Sequence, residues 1–335
     1  MNYEELMLRA ITKANKFKYT AKPNPVVGAI IIQGSEIISE GYHEIYGKNH
    51  AEINAIEEAQ KHLGKKFENF SDLSLICTLE PCSHVGKTGS CAEFIVKKGF
   101  KKVIIGAIDP NPKVAGRGIK ILESNGIEVE YGLFGDLVEK QNKNFFYKHK
   151  NNKPYITVKI ASSLDGMSHI GTERVFITSE SSRNDVQKIR ADHDAILTGG
   201  NTLRNDDPDM NARVDFSINQ AKKILLTSKP YSDKSKFFKN ACVDVFEINN
   251  LSKIIDSYKE NEICSILVEA GPKLVNSFLK EGIVDELIVY TSTKKLEKRG
   301  VNWFQENNAI ENYGFKLESS YKIDTDLKEI FKKDG

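Results

Sequence analysis

One tryptophan, five cysteines and nine prolines are all that this chain of 335 residues holds of those types, and no apolar run approaches the 18 residues of a membrane helix. A membrane span is therefore not expected. The stretch after Met1 lacks the apolar core of a secretion signal, so the expected location is cytoplasmic. Neither sign of charge is in excess, since 48 Lys and Arg stand against 46 Asp and Glu for a net +2. Pairs such as Lys97-Lys98 and Lys222-Lys223 are scattered and read as solvated faces, which argues against a nucleic-acid partner needing concentrated basic charge. An odd number of cysteines points away from a disulfide framework and towards thiols kept free in a reducing compartment. There is no low-complexity segment and no repeat of 20 to 50 residues.

What is present suits a globular α/β protein of two domains. Hydrophobic residues make up 40% and charged residues 28%, and the length accommodates two units of about 150 residues. Helical spacing over residues 4–17 leads through Asn24-Pro25 into the apolar run Val26 to Ile32. Helices are then predicted from His50 to Gln60, from Cys91, near Gly118 to Ser124, and in a polar segment ending near His149. Strands are predicted at Leu73 to Leu79, Val103 to Ala107 and Ile127 to Tyr131. The polar stretch Lys148 to Lys153, closed by Pro154, marks a boundary between residues 1–150 and 154–335. Beyond it strand-like runs at 155–161, 195–198, 224–227, 266–269 and 286–290 alternate with helical segments at 180–191, 250–260 and 272–281, a second α/β pattern.

The chemistry concentrates early. His50-Ala51-Glu52 is followed 29 residues later by Pro81-Cys82 and then by Cys91. Catalytic zinc takes three protein ligands, and a His, a Glu two residues on and a later Pro-Cys-x-x-Cys form the zinc-deaminase signature. The second thiol comes late here, so a longer loop must bridge Cys82 and Cys91. Singly, each of these residues reads as ordinary packing, as Cys77 does in the apolar run Leu75 to Leu79; together they assign His50, Cys82 and Cys91 to Zn²⁺. His84 competes with Cys91, which is preferred because two soft thiolates and one imidazole suit tetrahedral zinc. Residues two apart on a continuous helix diverge, so His50 and Glu52 share a site only at a helix start. Glu52 is then the catalytic proton carrier, and Glu80, ahead of a ligand at a strand end, an orienting or structural carboxylate. Asn24 is a turn asparagine or a contact for a planar amide-like ring.

These residues, with Glu80-Pro81-Cys82-Ser83-His84, Gly86-Lys87-Thr88, Cys91-Ala92-Glu93 and the long Asp109-Pro110-Asn111-Pro112-Lys113-Val114-Ala115-Gly116-Arg117-Gly118, resemble the deaminase half of the bifunctional riboflavin-biosynthesis deaminase/reductase family. The second half continues the resemblance in Lys159 to Gly166, Ile177 to Glu180, Asp206-Asp207-Pro208 and Val268 to Pro272, so that it runs to about Tyr290. The resemblance implies a cytidine-deaminase-like α/β/α layer followed by a dihydrofolate-reductase-like domain that uses NADPH. The implied substrate is a small molecule, a pyrimidine ribosylamine 5′-phosphate (2,5-diamino-6-ribosylamino-4(3H)-pyrimidinone 5′-phosphate), deaminated on its ring and then reduced from ribosyl to ribityl. Two successive sites also suggest a homo-oligomer.

Carried over by position, the resemblance places cofactor contacts at Ala161, Phe176, Thr202, Asp206, Ser228 and the run Gly271, Pro272, Lys273, Leu274, Val275, Asn276 and Ser277. Substrate contacts fall at Asn24, Arg174, Arg190, Met210, Arg213 and Glu269. Phe176 stands where the family has tryptophan, Arg174 where it has serine and Met210 where leucine is common. After Tyr290 the chain reads Thr-Ser-Thr-Lys-Lys-Leu in place of the family's Pro-Lys-Leu and Gly-Gly. That departure motivates an alternative, a deaminase whose C-terminal half binds nucleotide or oligomerises without reducing. Lys159 and Asp165 carry no assigned role.

Overall fold

In a computed structural model of the chain, which describes residues 2–64, 67, 69–83, 89–171, 175–247, 250–297, 300–304 and 310–333, the first helix begins on a capping box. Asn2 accepts from the Glu5 N–H at 2.8 Å, and the Glu5 carboxylate accepts in return from the Asn2 N–H at 3.3 Å. Helix α1 (Tyr3–Ala14) buries Leu6, Met7, Ala10 and Ala14, spaced three and four apart as one helix face requires. A short α2 (Lys18–Ala21) follows, and then β1 (Gly28–Gln33), β2 (Glu36–Tyr42), α3 (Ala51–Leu63), β3 (Ser74–Leu79), α4 (Cys91–Lys98), β4 (Lys102–Ala107), α5 (Arg117–Ser124), β5 (Glu128–Tyr131), α6 (Gly135–Gln141) and α7 (Lys143–Asn151).

Their sheet runs β2-β1-β3-β4-β5, antiparallel across β2, β1 and β3 and parallel from β3 to β5. Because strand side chains alternate, Ile30, Ile32, Ile76 and Ile104 meet α1 on one face, while Ala29, Ile31, Leu75, Cys77, Val103 and Ile105 meet the buried faces of α3, α4 and α5 on the other. Burial on both faces explains why these strands are continuously apolar. The result is a three-layer α/β/α unit, and Cys77 belongs to its core.

The chain divides into two compact units, Met1–Asn152 and Lys153–Gly335. The second contains β6 (Tyr155–Ser162), β7 (Met167–His169), α8 (Glu180–Asp192), β8 (Ala195–Gly199), α9 (Gly200–Asp206), β9 (Lys222–Leu226), β10 (Val243–Phe246), α10 (Leu251–Asp256), β11 (Ser265–Val268), α11 (Pro272–Lys280), β12 (Glu286–Thr291), β13 (Val301–Asn302), β14 (Phe315–Ile323) and β15 (Asp326–Lys333). Its main sheet is ordered β10-β9-β8-β11-β6-β12-β15-β14. From β10 to β12 every neighbour is parallel, and β15 and β14 add an antiparallel hairpin. Parallel strands share one carboxyl edge, the edge at which ligands bind in open α/β sheets.

Several elements differ from the sequence expectation. Strand β2 lay unmarked, the polar segment before Asn152 forms two helices rather than one, and α9, β10 and the β14–β15 hairpin were not anticipated. Strand β14 is polar and largely exposed, so it offers no apolar alternation to detect. Among the described residues no helix is long and apolar enough to cross a membrane.

One close approach sets the start of α3. A Cβ on Gly41 of β2 would lie 2.1 Å from the Ala55 nitrogen and 2.3 Å from the Ala51 oxygen, so only glycine lets the helix settle this close to the strand. Gly41→Ala is expected to cost about 1–3 kcal/mol through overpacking, read as a lower calorimetric transition for the N-terminal unit.

Candidate active sites

Two helix starts and one strand end converge in the N-terminal unit. His50 is the N-cap residue of α3 and does not cap it with its side chain, which leaves the imidazole free to turn inward. Cys91 opens α4 behind the true cap, Ser90, whose hydroxyl accepts from Glu93 and donates to the Cys82 carbonyl. Cys82 itself lies in the loop between β3 and α4, not at a helix start. The Cys82 Sγ is 3.6 Å and the Cys91 Sγ 3.3 Å from His50 Nδ1, and the three ligand atoms lie within 4.8 Å of one another.

Tetrahedral zinc with ordinary Zn–S and Zn–N bonds separates an N and an S ligand by about 3.6 Å, so this trio fits that ion. The donor chemistry agrees. The Cys91 thiol, with His50 and the Cys91 backbone N–H, draws the Cys82 thiol well down, while the same partnership raises Cys91; the Cys82 hydrogen bond lifts His50 to about 8. Protons shared in this way are the ones a metal displaces. His84 lies outside the described residues, as do Gly86, Lys87 and Thr88.

Glu52 sits in the first turn of α3, 3% exposed. Burial pushes its carboxyl up to about 6, with the His50 charge pulling the other way. Asn24 connects to His50 through His43. Its Nδ2 is 3.1 Å from His43 Nε2, and His43 Nδ1 is 3.0 Å from the Asn49 carbonyl, so the ring donates through Nδ1 and accepts from Asn24. The His43 ring meets His50 edge-on, centroids 5.5 Å apart. His43 is buried and its pKa is lowered mainly by that burial. Nothing in its sequence neighbourhood marked it; only the turn of β2 into the next loop brings it here.

Glu80 proves to be the organising carboxylate. Its Oε2 accepts from the N–H groups of Gly116 at 2.9 Å and Asp109 at 3.2 Å, and its Oε1 from those of Gly118 at 2.9 Å and Ile119 at 3.3 Å. A Cβ on Gly118 would lie 2.1 Å from the Pro81 carbonyl, so the start of α5 can press on this loop only with glycine there. The long Asp109 to Gly118 motif is thereby folded around the residue two before Cys82.

In the C-terminal unit, several of the residues singled out in the sequence lie at or just after the carboxyl ends of parallel strands. Ala161 is near the end of β6, Thr202 and Asp206 lie in α9 directly after β8, Ser228 follows β9, and Glu269 and Gly271 follow β11. Pro272 takes the first position of α11, where its fixed φ fits, and Gly271 is the cap. Along α11, Leu274 and Val275 belong to the core and Asn276 is spent on the Pro272 and Trp303 carbonyls at 2.8 and 2.7 Å. That leaves the backbone and the side chains of Lys273 and Ser277 to face outward. Arg174 lies outside the described residues.

Glu269 is 7% exposed and receives Arg190 through two bonds, Nε at 2.5 Å and Nη2 at 3.0 Å, with Lys159 Nζ at 3.3 Å. Burial alone would raise its pKa; the Arg190 and Lys159 charges overcome that and hold it at about 2. Arg190 Nη2 also reaches Met210 Sδ at 3.4 Å, and Arg213 is exposed nearby in sequence. Lys159, unassigned from sequence, thus joins this cluster. Asp165 serves elsewhere, accepting from the Leu296 and Glu297 N–H groups at 3.0 and 2.7 Å and so tying the segment after Tyr290 to the Ser163–Gly166 turn. Phe176 is 55% exposed with the Arg183 guanidinium 4.6 Å over its ring, and its carbonyl takes Lys294 Nζ at 3.1 Å.

Comparison with known proteins bears on both units. Residues 1–107 match the cytidine and deoxycytidylate deaminase zinc-binding region, and residues 154–328 match the RibD C-terminal domain, a deaminase module joined to a reductase module. The chain is 34% identical to the riboflavin biosynthesis protein RibD of Aquifex aeolicus, with 88% of this chain and 86% of that one covered, and 34% identical to that of Escherichia coli over 88% and 89%. Its structure is similar to that of Acinetobacter baumannii RibD, with a TM-score of 0.87, 32% identity and 99% of both chains covered. A Thermotoga maritima diaminohydroxyphosphoribosylaminopyrimidine deaminase/5-amino-6-(5-phosphoribosylamino)uracil reductase aligns at a TM-score of 0.80 and 28% identity over 99% of each chain. The chain belongs to the RibD family, the bifunctional deaminase/reductases of riboflavin biosynthesis, as its motifs led one to expect. Its cofactors are zinc in the first unit and NADPH in the second.

Glu80→Gln turns an acceptor into a donor facing backbone N–H groups, and is expected to cost the N-terminal unit about 1–3 kcal/mol and to speed zinc loss to a chelator. A carboxylate held below its ordinary 4.5 stabilises the fold above that pH and loses the contribution as pH falls from 4.5 towards about 2. Urea unfolding followed by Trp303, the sole tryptophan and a core residue of the C-terminal unit, is expected to show stability falling across that window, and Glu269→Gln to flatten the fall.

Proposed function

We propose that the N-terminal site deaminates the ring of a pyrimidine ribosylamine 5′-phosphate and that the C-terminal site then reduces its ribosyl group to ribityl. The observation that carries this reading is the convergence of His50, Cys82 and Cys91 on one point with the buried Glu52 beside them. Zinc held there supplies the Lewis acidity that makes water a nucleophile near neutral pH. Glu52 takes the proton from that water and returns one to the departing amino group, so a single carboxylate serves as base and then acid. Asn24, braced by His43, holds the planar ring by its amide edge.

In the second site NADPH supplies the hydride. The protein's part is position and charge. Arg190 and Arg213 suit phosphate oxygens, and Arg190 and Lys159 both flank the Glu269 carboxylate. Ala161, Thr202, Asp206, Ser228 and the start of α11 line the carboxyl edge on which the coenzyme lies, with the Gly271 and Lys273 N–H groups directed to phosphate. Phe176, exposed with Arg183 over its ring, suits stacking, and Met210 lies against Arg190.

Zinc-loaded enzyme given the diaminopyrimidine ribosylamine phosphate is expected to release ammonia and to oxidise NADPH in one vessel. Ammonia without oxidation would reduce the second unit to a binding module. Glu52→Gln is expected to keep its zinc by metal analysis and lose deamination by roughly 10²–10⁴-fold, while still reducing the deaminated intermediate; substantial ammonia release from that variant would remove Glu52 from its role.

A further inference from the structure

We propose that Asn142 is a positioning residue for deamination, acting from the α6–α7 junction on the loop that carries Asn24. The side chain is 6% exposed. Its Oδ1 accepts from the Val26 N–H at 2.7 Å, and its Nδ2 donates to the Val26 carbonyl at 3.1 Å and to the Val138 carbonyl at 3.3 Å. Three of the amide's four bonding positions are thus used, two of them on one backbone unit 116 residues away in sequence. Val26 is itself buried and lies ahead of β1, outside the sheet ladder. Asn142 supplies it with the donor and acceptor that a neighbouring strand would otherwise offer, which matters because a buried backbone group without a partner pulls the chain towards water.

The post to which Val26 is tied is rigid. Asn142 ends α6 through its own N–H to the Val138 carbonyl and begins α7 through its carbonyl to the Phe146 N–H, both at 3.0 Å. Gln141 beside it donates to the Ile11 carbonyl at 2.8 Å, and Val138 and Phe146 pack with Leu79 and Ala107 at the ends of β3 and β4. From Val26 the contacts run on to the site. The Val27 carbonyl accepts from the His43 N–H at 3.0 Å, His43 accepts from the Asn24 side chain, and its ring abuts His50. Removing the amide frees Val26 and lets the Asn24 loop lift from the ring it holds, while His50 and Cys91 stay at the starts of α3 and α4 and Cys82 in the loop after β3. This inference rests on the assignment of Asn24 to the ring.

The test uses the full-length, zinc-loaded enzyme. Asn142→Ala removes both bonds, and Asn142→Asp keeps the acceptor but sets an oxygen against the Val26 carbonyl. Both are expected to raise the deaminase KM, up to about 10²-fold, with a smaller fall in kcat. Zinc content and NADPH oxidation on the deaminated intermediate are expected to stay at the wild-type level. Asn142→Ala added to Asn24→Ala is expected to cost little more than Asn24→Ala alone, because the first acts through the second. Unchanged deamination in both Asn142 variants, loss of zinc, or losses that add in the double variant would each overturn the proposal. Should Asn142→Ala not fold, Asn142→Asp carries the same comparison. Unchanged deamination in Asn24→Ala would instead overturn the ring assignment, and the proposal with it, whereas an Asn24 effect without an Asn142 effect removes the proposal alone.

Discussion

The buried Glu80 carboxylate accepts four backbone N–H bonds, and the deaminase site is arranged around it. A carboxylate out of water is costly unless its oxygens are satisfied, and four oriented amides satisfy both oxygens without a counter-charge. Their cooperation fixes three things together: the end of β3, the Asp109 to Gly118 loop and the start of α5. Cys82 lies two residues from the anchor, so the loop that must reach forward to Cys91 departs from a defined point. Gly41 performs the corresponding service for α3, holding the start of the helix and therefore His50 and Glu52 against β2. Two of the zinc ligands, His50 and Cys91, thus sit at helix starts, and Cys82 two residues past the anchor.

The second unit solves a different problem, that of keeping charge under cover at a sheet edge. Glu269 lies between Arg190 and Lys159, so each buried charge has a partner and none depends on a ligand for its stability. Two cations share the one Glu269 carboxylate, and Asp209 also acts on Arg190. Asp165 matters to the same edge for a mechanical reason: through the Leu296 and Glu297 amides it holds down the segment that departs from its relatives. The altered sequence after Tyr290 therefore has a fixed place in the fold, secured also by Lys294 on the Phe176 carbonyl.

Much of this was legible in the linear chain. His50, Glu52, Cys82 and Cys91 are recognisable because metal chemistry accepts few residue types, and because two residues apart can share a site only at a helix start. The helices and buried strands of both units follow from apolar periodicity, and Pro272 after Gly271 marks a helix start by the geometry of proline. The rest was hidden for identifiable reasons. His43 and Asn142 carry no periodic signal and act through bonds to the chain's own backbone. Strand β14 is polar on an exposed edge, and Lys159 looks like an ordinary charged residue until Glu269 is placed between it and Arg190.

The sequence by itself determined the class of chemistry, a zinc deaminase joined to a reductase, since ligand identity and motif spacing are local properties of the chain. It also determined which stretches were apolar enough to pair into parallel sheets. Tertiary structure alone decided what surrounds each carboxylate: Glu80 and Glu52 are chemically identical, and four backbone amides close around the first while the ligand set lies beside the buried second. The same holds for Asn142, whose amide bonds a backbone unit 116 residues away, a separation no local pattern records.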